Sequence, residues 1–318
     1  MGKVVILGVF VADTAYRAAR QPRMGETILG LSFALGPGGK GSNQAVASAM
    51  AGAETHFISR LGRDPFAEMA LATWAKAGVI PAVSQHADSY TGAAYIFIEA
   101  ATGNNAIIVS PGAAAQIAVA DVEAQAALIS VADVDAQAAL IAGADVFVTQ
   151  LEQPIPVALH ALRLARAAGV RTILNPAPAA TLPAGMLGYC DYVTPNESEA
   201  EGLTGIKVTG VETAVVAARA LRAAGAGAAI ITLGENGALY HDATQTLHVP
   251  AIIAGPVVET TGAGDAFNGG FAAALAGGAD PITSVRFGAA TAGISVTRPG
   301  TAPSMPARAE IEALLARG

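Results

Sequence analysis

Short apolar runs rich in β-branched residues alternate with alanine-rich stretches along most of the chain. The apolar runs predict buried strands, and the alanine-rich stretches predict the helices that pack on them. The predicted strands cover residues 4–11, 55–59, 146–149, 172–175, 192–195 and 229–233. The predicted helices cover residues 44–51, 66–77, 157–168, 213–224, 266–276 and 306–317. This alternation predicts one α/β domain over residues 1–318, with a doubly wound, mostly parallel sheet flanked by helices.

Two stretches, residues 25–35 and 91–110, break this alternation. Gly103, Asn104 and Asn105 lie between two apolar runs in the second stretch, which predicts a hairpin. Strands that are not separated by helices should leave the main sheet. We therefore expect a small β-sheet lid over a cleft, contributed by about residues 11–35 and 91–110. The alternative is a peripheral hairpin without a function.

One internal repeat stands out, because residues 119–129 recur almost unchanged as residues 131–141. The two copies differ where Glu123 is replaced by Asp135. On one continuous helix this spacing would rotate the second apolar face by roughly 120°, so both copies could not bury the same face. We expect two consecutive helices that are separated near Ser130, as a duplication tolerated at the surface.

Composition and charge narrow the classes of function. With 318 residues, of which 53% are hydrophobic, the chain can bury a large core. A net charge of −7 argues against an overall basic surface for nucleic acid. No run approaches the roughly 20 uncharged apolar residues that a membrane span needs. The single cysteine, Cys190, cannot form an internal disulfide, as expected in a reducing compartment. From these observations together we expect a soluble, cytoplasmic protein without a nucleic-acid or membrane partner.

A glycine-rich loop, Gly36-Pro-Gly-Gly-Lys-Gly-Ser-Asn43, follows the first predicted lid strand. It matches the dinucleotide-binding pattern of three glycines but does not follow the first core strand, and Gly41 stands where a P-loop needs Ser or Thr. The loop permits close backbone approach, and Lys40 and Asn43 offer hydrogen-bond donors to a polyhydroxylated ligand. A plain glycine-rich turn is the alternative.

A second glycine-rich segment, Thr260-Thr-Gly-Ala-Gly-Asp265, leads directly into a predicted helix. The amides of Gly262, Ala263 and Gly264 would form an anion site at the helix N-terminus. Asp265 at that place adds a carboxylate that could accept a hydroxyl proton while the amides neutralise a transferring phosphoryl group. The alternative is that Asp265 is an ordinary N-cap.

Two further segments place polar groups where predicted strands end. Asn196 and Glu199 fit water-mediated binding of magnesium, although a helix capping box explains the same residues. The turn at residues 230–237, with Thr232 and Gly234 at its tip, is a candidate site for a nucleotide phosphate or adenine.

Taken together, these segments resemble the ribokinase/PfkB family of carbohydrate kinases. The resemblance extends over residues 4–315, and it includes both family signatures, at residues 38–47 with 59–64 and at residues 259–269. It implies ATP-dependent phosphorylation of the primary hydroxyl of a pentose, with D-ribose giving ribose 5-phosphate as the first candidate. The alternatives are a kinase for another sugar or a nucleoside, and a sugar-binding regulator without catalysis.

The resemblance also implies roles for individual residues. The sugar-binding residues would be Asp13, Gly39, Lys40, Asn43, Glu152 and Asp265, with Asp265 as the catalytic base. The anion hole would be Gly262, Ala263 and Gly264, and the nucleotide-binding residues Asn196, Thr232, Gly234, Gly237 and Gly264. Asn196 and Glu199 would belong to the magnesium network.

Potassium activation and a lid-to-lid homodimer are also implied by the family. The candidate potassium residues are Glu259, Thr261, Ser295, Arg298, Gly300 and Ser304. This sequence departs from the family pattern at Glu259, where relatives commonly carry Asp, and a longer side chain there would crowd or shift the ion. At Val11 an Asn is usual, so one polar group near the lid is missing.

Overall fold

The computed structural model describes residues 1–116 and 138–317. The strands are β1 Lys3–Leu7, β2 Val11–Ala18, β3 Ser32–Gly38, β4 Glu54–Gly62, β5 Ile80–His86, β6 Thr91–Glu99, β7 Asn105–Gly112, β8 Val146–Thr149, β9 Arg171–Leu174, β10 Tyr192–Val193, β11 Ala228–Thr232, β12 Ala238–His241 and β13 Thr246–Val249. The helices are α1 Lys40–Met50, α2 Pro65–Ala77, α3 Ile155–Ala167, α4 Glu197–Thr204, α5 Val211–Ala223, α6 Ala263–Ala276, α7 Pro281–Ser295 and α8 Arg308–Leu315.

The main sheet has the strand order β13-β12-β11-β10-β9-β8-β1-β4-β5. Strands β11 to β5 in this order are parallel, and β12 and β13 add an antiparallel edge. The predicted doubly wound, mostly parallel sheet is therefore confirmed. Strands β4 and β5 extend the sheet on one side of β1, and the chain then returns to place β8 on the other side. A crevice therefore opens at the carboxyl ends of these strands.

Both faces of the central sheet are buried, which explains why its strands are continuous apolar runs. In β1, Val4 and Ile6 belong to one hydrophobic cluster, whereas Val5 and Leu7 belong to the cluster on the other face. Helices α1, α2, α6, α7 and α8 supply the first cluster, and helices α3 to α5 supply the second. The polar groups that chemistry requires are therefore expected at the ends of the strands.

The first predicted strand, residues 4–11, is wrong in its extent. Strand β1 ends at Leu7, and Val11 already begins β2 in the second sheet. Residues 8–10 connect the two and are also buried, so the hydrophobic pattern does not change where the strand ends. The pattern also missed β5, the β12–β13 hairpin and helix α7; in β13, for example, residues 246–248 are exposed.

A separate four-stranded sheet has the order β3-β2-β6-β7. The predicted hairpin is present as β6–β7, with Gly103 at a φ of 76° in its turn. The predicted lid stretch at residues 25–35 is strand only from Ser32, because the pairing with β2 ends at Arg17. The other strand of this sheet, β2, pairs with β6 in parallel.

Two expectations concern the chain as a whole. The predicted helix pair of the repeat, residues 119–141, lies outside the described residues except at its end. Across residues 1–116 and 138–317, none of the helices combines the length and apolar character required to cross a membrane.

Candidate active site

The glycine-rich loop between β3 and α1 packs directly on the connection between the two sheets. Gly39 precedes α1 with a φ of 89°, a left-handed conformation that favours glycine. A Cβ on Gly39 would lie 2.6 Å from the carbonyl oxygen of Val9. This close approach places Lys40 and Asn43, at the start of α1, in the crevice.

Helix α6 crosses α1 at the same end of the sheet, and a glycine sets the distance between them. A Cβ on Gly269 would lie 2.4 Å from the Cβ of Ala47 and 2.7 Å from the carbonyl oxygen of Gln44. Because residues four apart lie on one face of a helix, this contact also turns Asp265 toward α1.

The carboxylate of Asp265 is held from two sides. Asn43 Nδ2 donates to Oδ2 and Gln44 Nε2 donates to Oδ1, each at 3.0 Å. Asp265 is 7% exposed and lies at the third residue of α6. The N-cap position belongs to Gly262, and no side chain in the described part of the chain caps this helix. The alternative that Asp265 is an ordinary N-cap is therefore wrong.

Lys40 supplies the positive charge that acts on this carboxylate. Burial raises the pKa of Asp265, although the Lys40 charge and the donors from Asn43 and Gln44 oppose that rise. Burial alone would lower the pKa of Lys40, but the combined attraction of Asp265, Glu152 and Glu199 raises it. Lys40 therefore remains charged and favours ionised Asp265.

Glu152 and Asp13 supply two more carboxylates to the same crevice. Glu152 Oε2 accepts the Lys40 backbone N–H at 2.8 Å, and burial raises the pKa of Glu152 to about 7. Asp13, on β2, lies against Gly38, where a Cβ would be 2.2 Å from its Oδ2. Burial, together with the charge of Asp265, raises the pKa of Asp13 to about 6. The crevice thus combines one cation, three carboxylates and the amide of Asn43.

The anion site at the start of α6 is smaller than predicted. The backbone N–H of Ala263 donates to the carbonyl oxygen of Thr260 at 3.1 Å, so the prediction that this amide is free is wrong. The turn that brings the chain into the helix uses it. Among the described residues, the amides of Gly262 and Gly264 have no partner. These two amides form the available donors beside Asp265.

Asn196 and Glu199 form the capping box that the sequence left as an alternative. Asn196 Oδ1 accepts the Glu199 N–H and Glu199 Oε2 accepts the Asn196 N–H, both at 2.9 Å. Burial raises the pKa of Glu199, and the charge of Lys40 opposes that shift. Asn196 also pairs with Thr232, so the loops after β10 and β11 lie side by side. Gly234 opens a short 3₁₀ turn beside them, and Gly237 follows it.

The candidate potassium residues lie in two segments that approach one another behind the anion site. The Val258 N–H donates to the Val296 carbonyl at 2.8 Å, and Glu259 Oε2 accepts the Gly300 N–H at 2.8 Å. Ser304 Oγ, buried at 1% exposure, donates to the carbonyl oxygen of Thr301 at 2.7 Å. Thr261 directly precedes the Gly262 cap.

The turn before Arg298 closes these segments, because the Arg298 N–H donates to the carbonyl oxygen of Ser295 at 3.1 Å. The structure therefore brings the candidate segments together, and it engages the Glu259 carboxylate with the backbone of Gly300.

Comparison with known proteins then decides the family. The model of the pfkB family carbohydrate kinases matches residues 1–308. This chain belongs to that family. Its relatives include the ribokinase of Haemophilus influenzae, 35% identical over 314 residues and 96% of both chains, and the deoxyribokinase of Salmonella typhi, 32% identical over 305 residues and 95% of both. A structure of Arabidopsis thaliana ribokinase complexed with ribose and ATP superposes with a TM-score of 0.89 at 30% identity, covering 99% of each chain.

In this family member, several buried polar residues around the candidate base had no role assigned from sequence. Gln44 contacts Asp265, and it also bonds to Gln150 and Asn175, which follow β8 and β9 directly. Thr194, after β10, donates to Asn268 Oδ1 at 2.6 Å. The available signal was their position, because polar residues immediately after buried strands meet at one edge of a parallel sheet.

Proposed function

We propose that this chain transfers the γ-phosphoryl group of ATP to O5 of D-ribose. The observation that carries the proposal is the buried carboxylate of Asp265, which lies beside the free amides of Gly262 and Gly264 and does not cap its own helix. A base next to an anion site suits phosphoryl transfer to a hydroxyl. The relatives named ribokinase, and the one complexed with ribose and ATP, support this choice of substrates.

The crevice offers a suitable receptor for the sugar. Asp13, Glu152, Lys40 and Asn43 surround Asp265, and all five side chains can bond hydroxyl groups. With the sugar held by its other hydroxyls, O5 lies between Asp265 and the γ-phosphate. Asp265 accepts the O5 proton while the new O–P bond forms and the bond to ADP breaks. The amides of Gly262 and Gly264 stabilise the negative charge of the phosphoryl group during transfer.

We further propose that magnesium is held through water by Glu199. The capping box uses Oε2 of Glu199, whereas its Oε1 has no partner among the described residues and provides an oxygen ligand. When bound, the ion neutralises charge on the phosphates of ATP. Asn196 keeps the carboxylate of Glu199 in place through its backbone N–H.

We also propose that potassium activates turnover and that Glu259 limits this activation. The carbonyl and hydroxyl oxygens of this region suit a monovalent cation. The Glu259 carboxylate, however, already accepts the Gly300 N–H. We propose that this hydrogen bond holds the two segments together and so partly takes the place of the ion.

A nucleoside is a weaker candidate than a free sugar. Tyr16 is the aromatic residue near Asp13 that could stack on a base. In the unbroken register of β2, residues 13 and 16 point to opposite faces. Because Asp13 faces Asp265, Tyr16 faces away from the crevice and contacts Phe33 and Tyr95. A second sugar candidate is 2-deoxyribose, favoured by the deoxyribokinase relative.

The outer face of the lid supports a homodimer. Tyr16, Phe33, Leu35 and Ile108 lie on one face by strand register and are 41–65% exposed. A contiguous apolar surface of this kind is typical of a protein interface. We propose that two chains pair through these lid faces. A cytoplasmic location and the absence of nucleic-acid partners stay predictions.

Substitution of the base tests the catalytic proposal. For Asp265→Asn we expect kcat with ribose to fall by about 10²–10⁴-fold, because the amide cannot accept the proton. ATP binding, measured by calorimetry, should be retained. ADP release should be followed for ribose, 2-deoxyribose, other pentoses and nucleosides, with and without potassium.

Asp280→Asn is the matched control, since it makes the same chemical change at the N-cap of α7, where asparagine caps equally well. It should keep wild-type turnover. An Asp265→Asn enzyme with most of its activity would refute the mechanism. A wild-type chain that binds sugar without turnover would instead favour the regulator.

A further inference from the structure

Gln44 is the most completely bonded polar side chain next to the candidate base. It is fully buried, and its Nε2 donates to Asp265 Oδ1 and to Asn175 Oδ1, both at 3.0 Å. Its Oε1 accepts from Gln150 Nε2 at 2.6 Å. Asn175 is itself fixed, since its Nδ2 donates to the Thr194 carbonyl at 3.0 Å.

These partners allow one orientation of the Gln44 amide. A flipped amide would turn Oε1 toward two acceptors, Asp265 Oδ1 and Asn175 Oδ1, and would turn Nε2 toward the donor of Gln150. The first change leaves the buried oxygens of Gln44, Asp265 and Asn175 facing one another without a donor, which is costly. The donor to Asp265 is therefore held in place before any ligand binds.

Asn43 donates to the other oxygen of Asp265, but its surroundings differ. The Oδ1 of Asn43 is buried and has no partner among the described residues. Asn43 thus keeps an unused acceptor for a ligand, whereas every polar atom of the Gln44 side chain is engaged by protein. Of these two neighbours in α1, Asn43 can therefore bond to the sugar, whereas Gln44 contacts only protein groups, including the base.

We propose that Gln44 is a positioning residue: its locked amide fixes Oδ1 of Asp265, orients the carboxylate toward the sugar hydroxyl and favours its ionised form. The inference rests on the proposed kinase function. A hydrogen bond to the charged form of a carboxylate stabilises that form, and this bond supports ionised Asp265 against its burial. Removal of the donor should therefore make proton uptake by Asp265 easier at a given pH.

Other charges also act on Asp265, and any pH experiment must separate them. Lys40 faces it from α1, Asp13 from β2, Glu152 from the segment after β8, and Glu199 from α4. The Gln44 side chain has no hydrogen bond to any of these four side chains. A change at Gln44 therefore acts on the titration of Asp265 directly.

The experiment measures kcat against pH with saturating sugar and ATP. Gln44→Met removes the donor and keeps an unbranched side chain in the core. We expect its acidic limb to move upward by about one pH unit, the effect of losing one charge-assisted hydrogen bond. We also expect kcat on the plateau to fall about tenfold or more, because Asp265 loses its orientation, with a much smaller change in sugar KM.

Two further variants keep the test decisive. Gln44→Glu places a second carboxyl group beside Asp265, and the pair should share a proton, moving the acidic limb further upward. If Gln44→Met does not fold, Gln44→Glu serves as the test in its place. The control is Gln153→Met: Gln153 is equally buried and donates to Thr149 Oγ1 and the Gln150 carbonyl, without contacting Asp265. It should lose stability and keep the wild-type acidic limb.

The outcomes separate this inference from the proposed function. A wild-type chain that phosphorylates no sugar refutes the kinase proposal. An active wild type whose acidic limb is unchanged by both Gln44 substitutions refutes the role of Gln44. An equal shift in Gln153→Met also refutes it, because it would show that general loosening of the core moves the limb.

Discussion

The contact between α1 and α6 links stability to catalysis, and Gly269→Ala tests that link. The added Cβ would lie 2.4 Å from the Cβ of Ala47, 2.7 Å from the Gln44 carbonyl oxygen and 2.8 Å from the Ser48 nitrogen. Two of these atoms are helix backbone and cannot rotate away. Ordinary contacts to a Cβ begin near 3.4 Å, so the two helices must separate by about 1 Å.

The cost follows from two opposing effects. Overpacking of a core costs about 1–3 kcal/mol, whereas replacing a glycine inside a helix with alanine gains about 0.5–1 kcal/mol. We expect the free energy of unfolding to fall by about 1–2 kcal/mol. Because Asp265 lies one turn before Gly269, a displacement of about 1 Å should also lower kcat by about 10²-fold.

Chemical denaturation and steady-state kinetics measure the two effects on the same preparation. Gly202→Ala is the control: Gly202 is an exposed residue of α4, and a Cβ there would be 3.5 Å from the Ala179 Cβ. It should raise stability by about 0.5–1 kcal/mol and leave kcat unchanged. A Gly269→Ala enzyme with wild-type stability and kcat would refute the proposed packing between α1 and α6.

Three other predictions follow from the site and the lid. Since burial raises the pKa of Asp13 to about 6, its ionised form is lost as the pH falls through that value, and sugar KM should rise. Asp13→Asn should remove the part of this rise that is centred near pH 6 and leave the part due to Glu152, and a pH-independent KM in the wild type would contradict it. Phe33→Asp should convert a dimer to a monomer in sedimentation experiments, whereas Val216→Asp, on α5, should not; a dimeric Phe33→Asp would contradict the lid interface. Glu259→Asp frees the Gly300 amide and should increase the activation of turnover by potassium; equal activation in both enzymes would show that Glu259 does not limit it.

Much of the fold could be predicted because both faces of the central sheet are buried. Apolar runs such as residues 146–149 and 172–175 coincide closely with β8 and β9. The same property caused the error at residues 4–11, since burial continues through the crossover to β2. The edge elements were missed for the opposite reason: β13 is largely exposed, so it has no continuous apolar run.

For the site, the local motifs of the sequence determined which residues were candidates, and the tertiary structure decided which contacts each of them makes. A glycine-rich segment before a helix predicts an anion site from local geometry alone. Local geometry could not distinguish Asp265 as a base from Asp265 as an N-cap, because both place a carboxylate in the first turn. The deciding contacts come from Asn43 and Gln44, which are more than 200 residues away in sequence. Only helix packing brings those donors to the carboxylate, so only the folded chain shows that Asp265 faces the crevice and that Gln44 holds it there.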